Sequence, residues 1–318
     1  MSRLAFLLAV VLPVLLSSAA RAAEPVAVPA AEPLVGVDWL KSRLGKPGIV
    51  VLDLQPSMRD YVAGHIPGAI YTDYARGGWR EKNAAGVPGM LPEPGKLASL
   101  IGRLGIGNDT HVVLAPLGRN AADMGTATRV YWTFKVLGHD AVSILDGGTL
   151  AWAAQTKSAN TAIYNMETLP NTRPPATFVA KVRGGMLVDK AGVQRAMSDK
   201  TPLVDNRPQD FFMGLTRSPA SRIGGTLPGA RSLPESWLTR NNGGHFRSRQ
   251  QLASIYEAAG VPTAGDQISF CNTGHWASLG WFVSSEILGN KSARMYDGSM
   301  AEWTADKSLP VDVKIKTP

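Results

Sequence analysis

The chain has 318 residues, 44% of them apolar and 18% charged, with a formal net charge of +8. That length favours about two domains over a single core, and the composition excludes a disordered, fibrous or wholly membrane-embedded chain. The basic residues are interspersed with acidic ones and form no long block, which argues against a nucleic-acid partner.

The first 22 residues read as a secretory signal peptide. Arg3 gives the positive start, Leu4 to Leu16 is an apolar run, and Ala20-Arg21-Ala22 is a small-x-small cleavage site. A bilayer-spanning helix needs about 20 apolar residues, so neither this run nor any later segment predicts stable membrane insertion. A periplasmic or secreted mature protein starting near Ala23 is expected; removing Arg3 and Arg21, with no acidic residue, lowers the charge from +8 to +6.

The rest of the chain repeats itself once. Asp146-Gly147-Gly148 with Trp152 matches Asp297-Gly298-Ser299 with Trp303, and Leu137-Gly138 matches Leu288-Gly289 at the same offset of 151. Val51-Leu52-Asp53 answers Leu203-Val204-Asp205, and Tyr61 to Gly64 answers Phe211 to Gly214. Gly64 to Ala69 returns as Gly225 to Ala230, displaced by about 11 further residues. One repetition at so long a period means duplicated domains, not a solenoid. The expected division is a domain over 34–158, a linker over 159–180 and a second domain over 181–310.

Within each copy a β-branched run comes first (Ile49 to Leu54; Leu203 to Asp205), then a turn-rich segment with a Pro-Gly-Ala reversal. An apolar strand (His111 to Ala115; Gln267 to Phe270), a helix and a strand ending in Asp-Gly follow. Strands alternating with helices predict an α/β fold, each domain a mostly parallel sheet with helices on both faces.

The only cysteine, Cys271, follows the strand Gln267 to Phe270 and precedes a helix expected from near Ala277 to Gly289. In open α/β sheets ligands bind at this junction. Unpaired first-turn amides and the positive helix end favour a thiolate there, and Gly274 permits a tight wrap of amides around one sulfur. One cysteine cannot form an internal disulfide, so a free thiol in an oxidising compartment is either buried or chemically required. The same cradle would stabilise the terminal sulfur of a persulfide passing from a donor to an acceptor.

These features resemble the rhodanese family, specifically its tandem-domain thiosulfate and 3-mercaptopyruvate sulfurtransferases, over Val35 to Trp303. The resemblance rests on Gly64-His65-Ile66-Pro67-Gly68-Ala69, the two Asp-Gly-x plus Trp endings and the strand-Cys-loop-helix unit. It implies a catalytic C-terminal copy and an inactive N-terminal one, in keeping with Ala115 standing where the second copy has Cys271. It also implies an active-site loop of Cys271, Asn272, Thr273, Gly274, His275 and Trp276, and a substrate-binding arginine, Arg207, in Asp205-Asn206-Arg207. Two departures concern the donor. Asn272 and Thr273 occupy places that are basic in thiosulfate-using members, and Phe211 stands where a second arginine is expected; Arg217 and Arg222 are the candidate substitutes.

The expected activity is transfer of sulfane sulfur from a donor (thiosulfate, mercaptopyruvate or a persulfide) to a thiol or cyanide through a Cys271 persulfide. The alternative is a persulfide carrier without turnover, and an exported sulfur-relay protein is a candidate partner. A cysteine phosphatase would need an arginine six residues after the cysteine, where Ala277 stands. No cofactor and no metal are expected, because the single cysteine and His65, His111, His139, His245 and His275 show no ligand spacing.

Overall fold

The computed structural model describes residues 31–156 and 165–316. The expected signal peptide lies outside the described residues, as does the first part of the expected linker. In the first domain the order is β1 (Leu34–Val35), α1 (Val37–Lys41), β2 (Ile49–Leu54), α2 (Met58–Ala63), β3 (Ile70–Tyr71), α3 (Pro94–Arg103), β4 (His111–Pro116), α4 (Ala121–Val136), β5 (Val142–Leu145) and α5 (Gly148–Thr156). The second repeats it: β6 (Leu187–Val188), α6 (Lys190–Ser198), β7 (Leu203–Asp205), α7 (Gln209–Met213), β8 (Arg231–Ser232), α8 (Arg249–Ala258), β9 (Gln267–Phe270), α9 (His275–Phe282), β10 (Ala293–Tyr296) and α10 (Ser299–Ala305).

Each domain is built on a five-stranded parallel sheet, ordered β1-β5-β4-β2-β3 in the first and β6-β10-β9-β7-β8 in the second. Successive strand residues face opposite ways. Val50, Leu52, Val112 and Leu114 enter one apolar cluster, while Val51, Val113 and Ala115 enter another. Both faces are therefore covered, as a parallel sheet requires. The repeat detected in the sequence is thus a repeat of topology, and β4–α4 and β9–α9 are equivalent units at the two sheet centres.

These two units also join the domains. Helix α4 is buried around most of its circumference, because its own sheet packs on one side and α9 on the other. The larger apolar cluster runs without interruption from Met124, Ala127 and Val130 to Ala277, Leu279 and Phe282. Tyr131 meets Phe282 edge-on at 5.0 Å between ring centroids, and Thr128 Oγ1 lies 2.8 Å from Ser278 Oγ. Small residues at the crossing let the helices approach closely.

The described part of the linker has no helix and, beyond the single bridge of Glu167 to His65, no strand pairing. It runs along the first domain instead. Asn171 donates to Ala69 O, Ala176 N to Gly102 O, and Lys181 N to Leu137 O. A side chain at Gly102 would place its Cβ 2.5 Å from Ala176 O, so the linker's course depends on that glycine.

Truncating a large aromatic residue at the domain junction removes its contacts with both halves. Tyr131→Ala should lower unfolding free energy by about 3 kcal/mol, by the usual cost of an aromatic-to-alanine cavity. Urea unfolding followed by tryptophan fluorescence measures this.

Candidate active site

Cys271 is the first residue after β9, at the carboxyl edge of the second sheet. The turn out of the strand is shorter than expected: Gly274 takes a left-handed conformation (φ 75°), and α9 already begins at His275, not near Ala277. A glycine adopts positive φ without a Cβ penalty, so the chain enters the helix directly. His275 and Trp276 therefore belong to the first helical turn, and the irregular loop is confined to residues 271–274.

Ser299 clamps this loop from below. Its Oγ accepts hydrogen bonds from Cys271 N (3.1 Å) and Gly274 N (3.2 Å) and donates to Tyr296 O (2.9 Å). Met300 N and Ala301 N donate to the carbonyls of Cys271 and Asn272. Ser299 itself has φ 50°, a conformation that is strained for a residue with a Cβ. Its counterpart in the first domain is Gly148 at φ 62°, where no such strain arises. The copy that holds Cys271 carries the strained serine and gains the oxygen that ties both ends of the loop.

The thiol of Cys271 is buried, with 1% of the residue exposed. Among the described residues, the amides of Asn272, Thr273, His275 and Trp276 donate to no protein acceptor, and no donor reaches the Cys271 Sγ. Four free N–H groups thus sit on the loop and first helical turn that follow the thiol. They are available to an anionic atom held just beyond it.

The other half of the site comes from the domain that lacks the cysteine. Arg129, on α4, is fully buried; its Nη1 donates to Asp297 Oδ1 at 2.5 Å and to Gly274 O at 3.2 Å. Burial opposes its charge, but Asp297 outweighs that and keeps the guanidinium protonated above its usual range. Leu91 N donates to the other oxygen of Asp297 at 2.7 Å. Arg80 Nη2 donates to Thr273 O (2.6 Å) and Thr273 Oγ1 (2.9 Å). Tyr74 Oη lies 2.9 Å from His275 Nδ1, and His275 Nε2 lies 3.0 Å from Ala122 O. Because a carbonyl only accepts, Nε2 carries the proton and Nδ1 accepts from the Tyr74 hydroxyl. Burial first, and then the Arg80 charge, push the His275 pKa down to about 3, so the ring is neutral at physiological pH.

The three arginines expected to receive the donor are placed differently. Arg207 is buried and pairs with Asp205 in a fork (Nε to Oδ1 2.8 Å, Nη2 to Oδ2 2.5 Å), donates to Gly225 O, and reaches Asn272 Oδ1 at 3.4 Å. It underpins the loop with its charge compensated. Arg217 donates to Ser221 O and Arg222 to Thr304 O; neither makes a hydrogen bond to residues 271–276. Trp276 packs edge-on against Phe211, with centroids 6.0 Å apart. Tyr74, Arg80 and Arg129 were not legible as site residues. The one signal was a charged Arg129 inside the otherwise uncharged stretch Gly125 to Phe134.

The first domain carries the same frame without the cysteine. Leu114 pairs with Ile144 as Ser269 pairs with Met295, so the counterpart of Cys271 is Pro116, the last residue of β4, and not the Ala115 expected; Gln55 replaces Arg207, donating to Asp53 through its backbone N at 2.9 Å and its Nε2 at 3.2 Å. Without an arginine beside it, buried Asp53 has its pKa pushed up to about 6 by burial, which those two hydrogen bonds only partly offset.

Two parallel sheets, each with a strand-loop-helix unit at its centre and one bearing a cysteine, define a tandem-domain α/β protein. The family model described as rhodanese-like domain matches twice, over residues 36–155 and 190–306, and the chain belongs to that family. A thiosulfate sulfurtransferase from Corynebacterium glutamicum is 31% identical over 296 residues, covering 88% of this chain and 90% of that protein. The sulfur carrier protein TtuD from Thermus thermophilus is 30% identical over 292 residues, covering 88% and 96%. Among solved structures, the 3-mercaptopyruvate sulfotransferase SseA from Escherichia coli superposes with a TM-score of 0.71 at 25% identity, covering 85% of this chain and 99% of that one. The chain is a sulfurtransferase.

Two measurements probe this geometry. Ser299→Ala keeps the strained φ and orphans two buried amides, so a loss of about 2 kcal/mol is expected, whereas Ser299→Gly relieves the strain and loses less. Both should slow turnover, read by denaturant unfolding alongside a sulfur-transfer assay. The depressed His275 pKa has a sign as well. Between its unfolded value of 6.5 and about 3 the unfolded chain binds the extra proton, so this group's stabilisation is complete above that window and declines as pH falls through it. His275→Gln should therefore show a shallower acid-side fall in urea midpoint than wild type.

Proposed function

We propose that the chain moves sulfane sulfur through a persulfide on Cys271. The observation that carries this reading is the set of unpartnered amides on Asn272, Thr273, His275 and Trp276, which follow the one cysteine at the positive end of α9. A thiolate gains from that field, and so does a sulfur one bond further out.

With thiosulfate as donor, the Cys271 thiolate attacks the sulfane sulfur and forms a new S–S bond as the donor's own S–S bond breaks. Its electron pair leaves with sulfite. The cysteine then carries a terminal S⁻. Cyanide or a thiolate attacks that terminal sulfur, the cysteine–sulfur bond breaks, and Cys271 departs as the thiolate it began as. Charge is conserved in each step, and no cofactor is required. The names of the relatives support thiosulfate and 3-mercaptopyruvate as first donors to test.

The carrier reading has one supporting observation, the similarity to a protein named as a sulfur carrier. The burial of Cys271 bears on both, because a thiol with 1% exposure reacts with small reagents or after the loop moves. A leader at residues 1–22 would place either activity outside the cytoplasm, with an exported sulfur-relay protein as acceptor.

Thiosulfate and cyanide should yield thiocyanate with wild type and none with Cys271→Ser. Intact mass after donor alone should show one added sulfur, absent in Cys271→Ser. Added sulfur without turnover on thiosulfate, mercaptopyruvate or polysulfide would favour the carrier; no added sulfur from any donor would end the persulfide reading.

A further inference from the structure

We propose that Arg80, supplied by the domain that lacks the cysteine, is the cation that receives the anionic sulfur donor at the Cys271 loop. The inference rests on the sulfur-transfer reading above and adds the residue that selects the donor's charge.

The loop brings no positive charge of its own, since Cys271 is followed by Asn272, Thr273 and Gly274. Two of the arginines beside it are already neutralised: Arg207 by Asp205 and Arg129 by Asp297, each at 2.5 Å. Arg80 differs. Its guanidinium is half-buried and holds only neutral oxygens, namely Gly89 O through Nε at 3.2 Å and the Thr273 carbonyl and hydroxyl through Nη2. Among the described residues no carboxylate lies within ion-pair distance of it, and the Tyr74 hydroxyl is a further neutral partner.

The fold also makes room for this placement. A Cβ at Gly89 (φ +81°) would lie 2.1 Å from Arg80 Nη2, so the guanidinium passes directly over that residue to reach Thr273. The Tyr74 ring, 5.6 Å away, and His275 form the adjoining wall. A guanidinium anchored on neutral oxygens has no carboxylate to compensate its charge, and its planar fork suits an oxyanion. Its field also contributes to keeping His275 neutral, so no second cation competes for the anion. Arg217 and Arg222 lack this contact with the loop.

The test separates binding from chemistry. Thiosulfate affinity is measured by calorimetry on Cys271→Ser, alone and combined with Arg80→Gln, and steady-state kinetics are measured on Arg80→Gln and Arg80→Lys. Arg80→Gln keeps a hydrogen-bond donor for Thr273 but removes the charge. It should weaken thiosulfate binding and raise KM about tenfold, with kcat held within about threefold, and Arg80→Lys should recover most of the loss. Unchanged Kd and KM in Arg80→Gln would overturn the inference, as would a fall in kcat alone, which describes a brace for Thr273 and no more. Should Arg80→Gln not fold, Gly89→Ala displaces the guanidinium in a chain that keeps Arg80, and the same shift in Kd is required. If wild type transfers no sulfur from thiosulfate, the functional reading fails for that donor while the binding comparison still decides the role of Arg80.

Discussion

The buried pair of Arg129 and Asp297 is the interaction on which the site depends. It joins a helix of one domain to the end of a strand in the other, and the same guanidinium nitrogen supports the carbonyl of Gly274. Removing a guanidinium and a carboxylate from water costs several kcal/mol each, and attraction offsets that only where both partners are well bonded. Here Asp297 also accepts from Leu91 N, and Arg129 also donates to Gly89 O. Such a pair stabilises little in net terms. Its value lies in direction, because any other relative placement of the domains leaves two charges dry and unmatched.

From this constraint the arrangement of the loop follows. The second domain supplies Cys271 and the Ser299 clamp, while the first supplies Arg129 behind Gly274, Arg80 beside Thr273, and Tyr74 against His275. The cysteine is on one half and much of the frame that holds its loop is on the other. The first copy has no cysteine and no Asp-Arg pair, with Gln55 beside Asp53, yet it has the same sheet and central helix that present these side chains in the second.

How far the sequence could be read depends on how local each signal is. The repeat, the parallel sheets and the position of Cys271 were legible because β-branched runs, Asp-Gly turns and the strand-to-helix junction each occupy a few adjacent residues. The start of α9 was misplaced by two residues, since the left-handed Gly274 lets a helix begin where a longer loop was expected. Tyr74, Arg80 and Arg129 escaped notice for a different reason. Their partners lie 145 to 201 positions away, and no periodicity encodes a contact across two domains. Arg207 was read as substrate-binding from the resemblance; its forked bond to Asp205 accounts for its burial.

The strained serine carries a lesson about duplication. Gly148 and Ser299 occupy the same turn, and only the copy with the cysteine holds a residue that is uncomfortable there. Backbone discomfort on one side of an internal repeat, relaxed on the other, coincides here with the half that holds the cysteine. A reader of other duplicated chains can look for that asymmetry before any reactive side chain has been recognised.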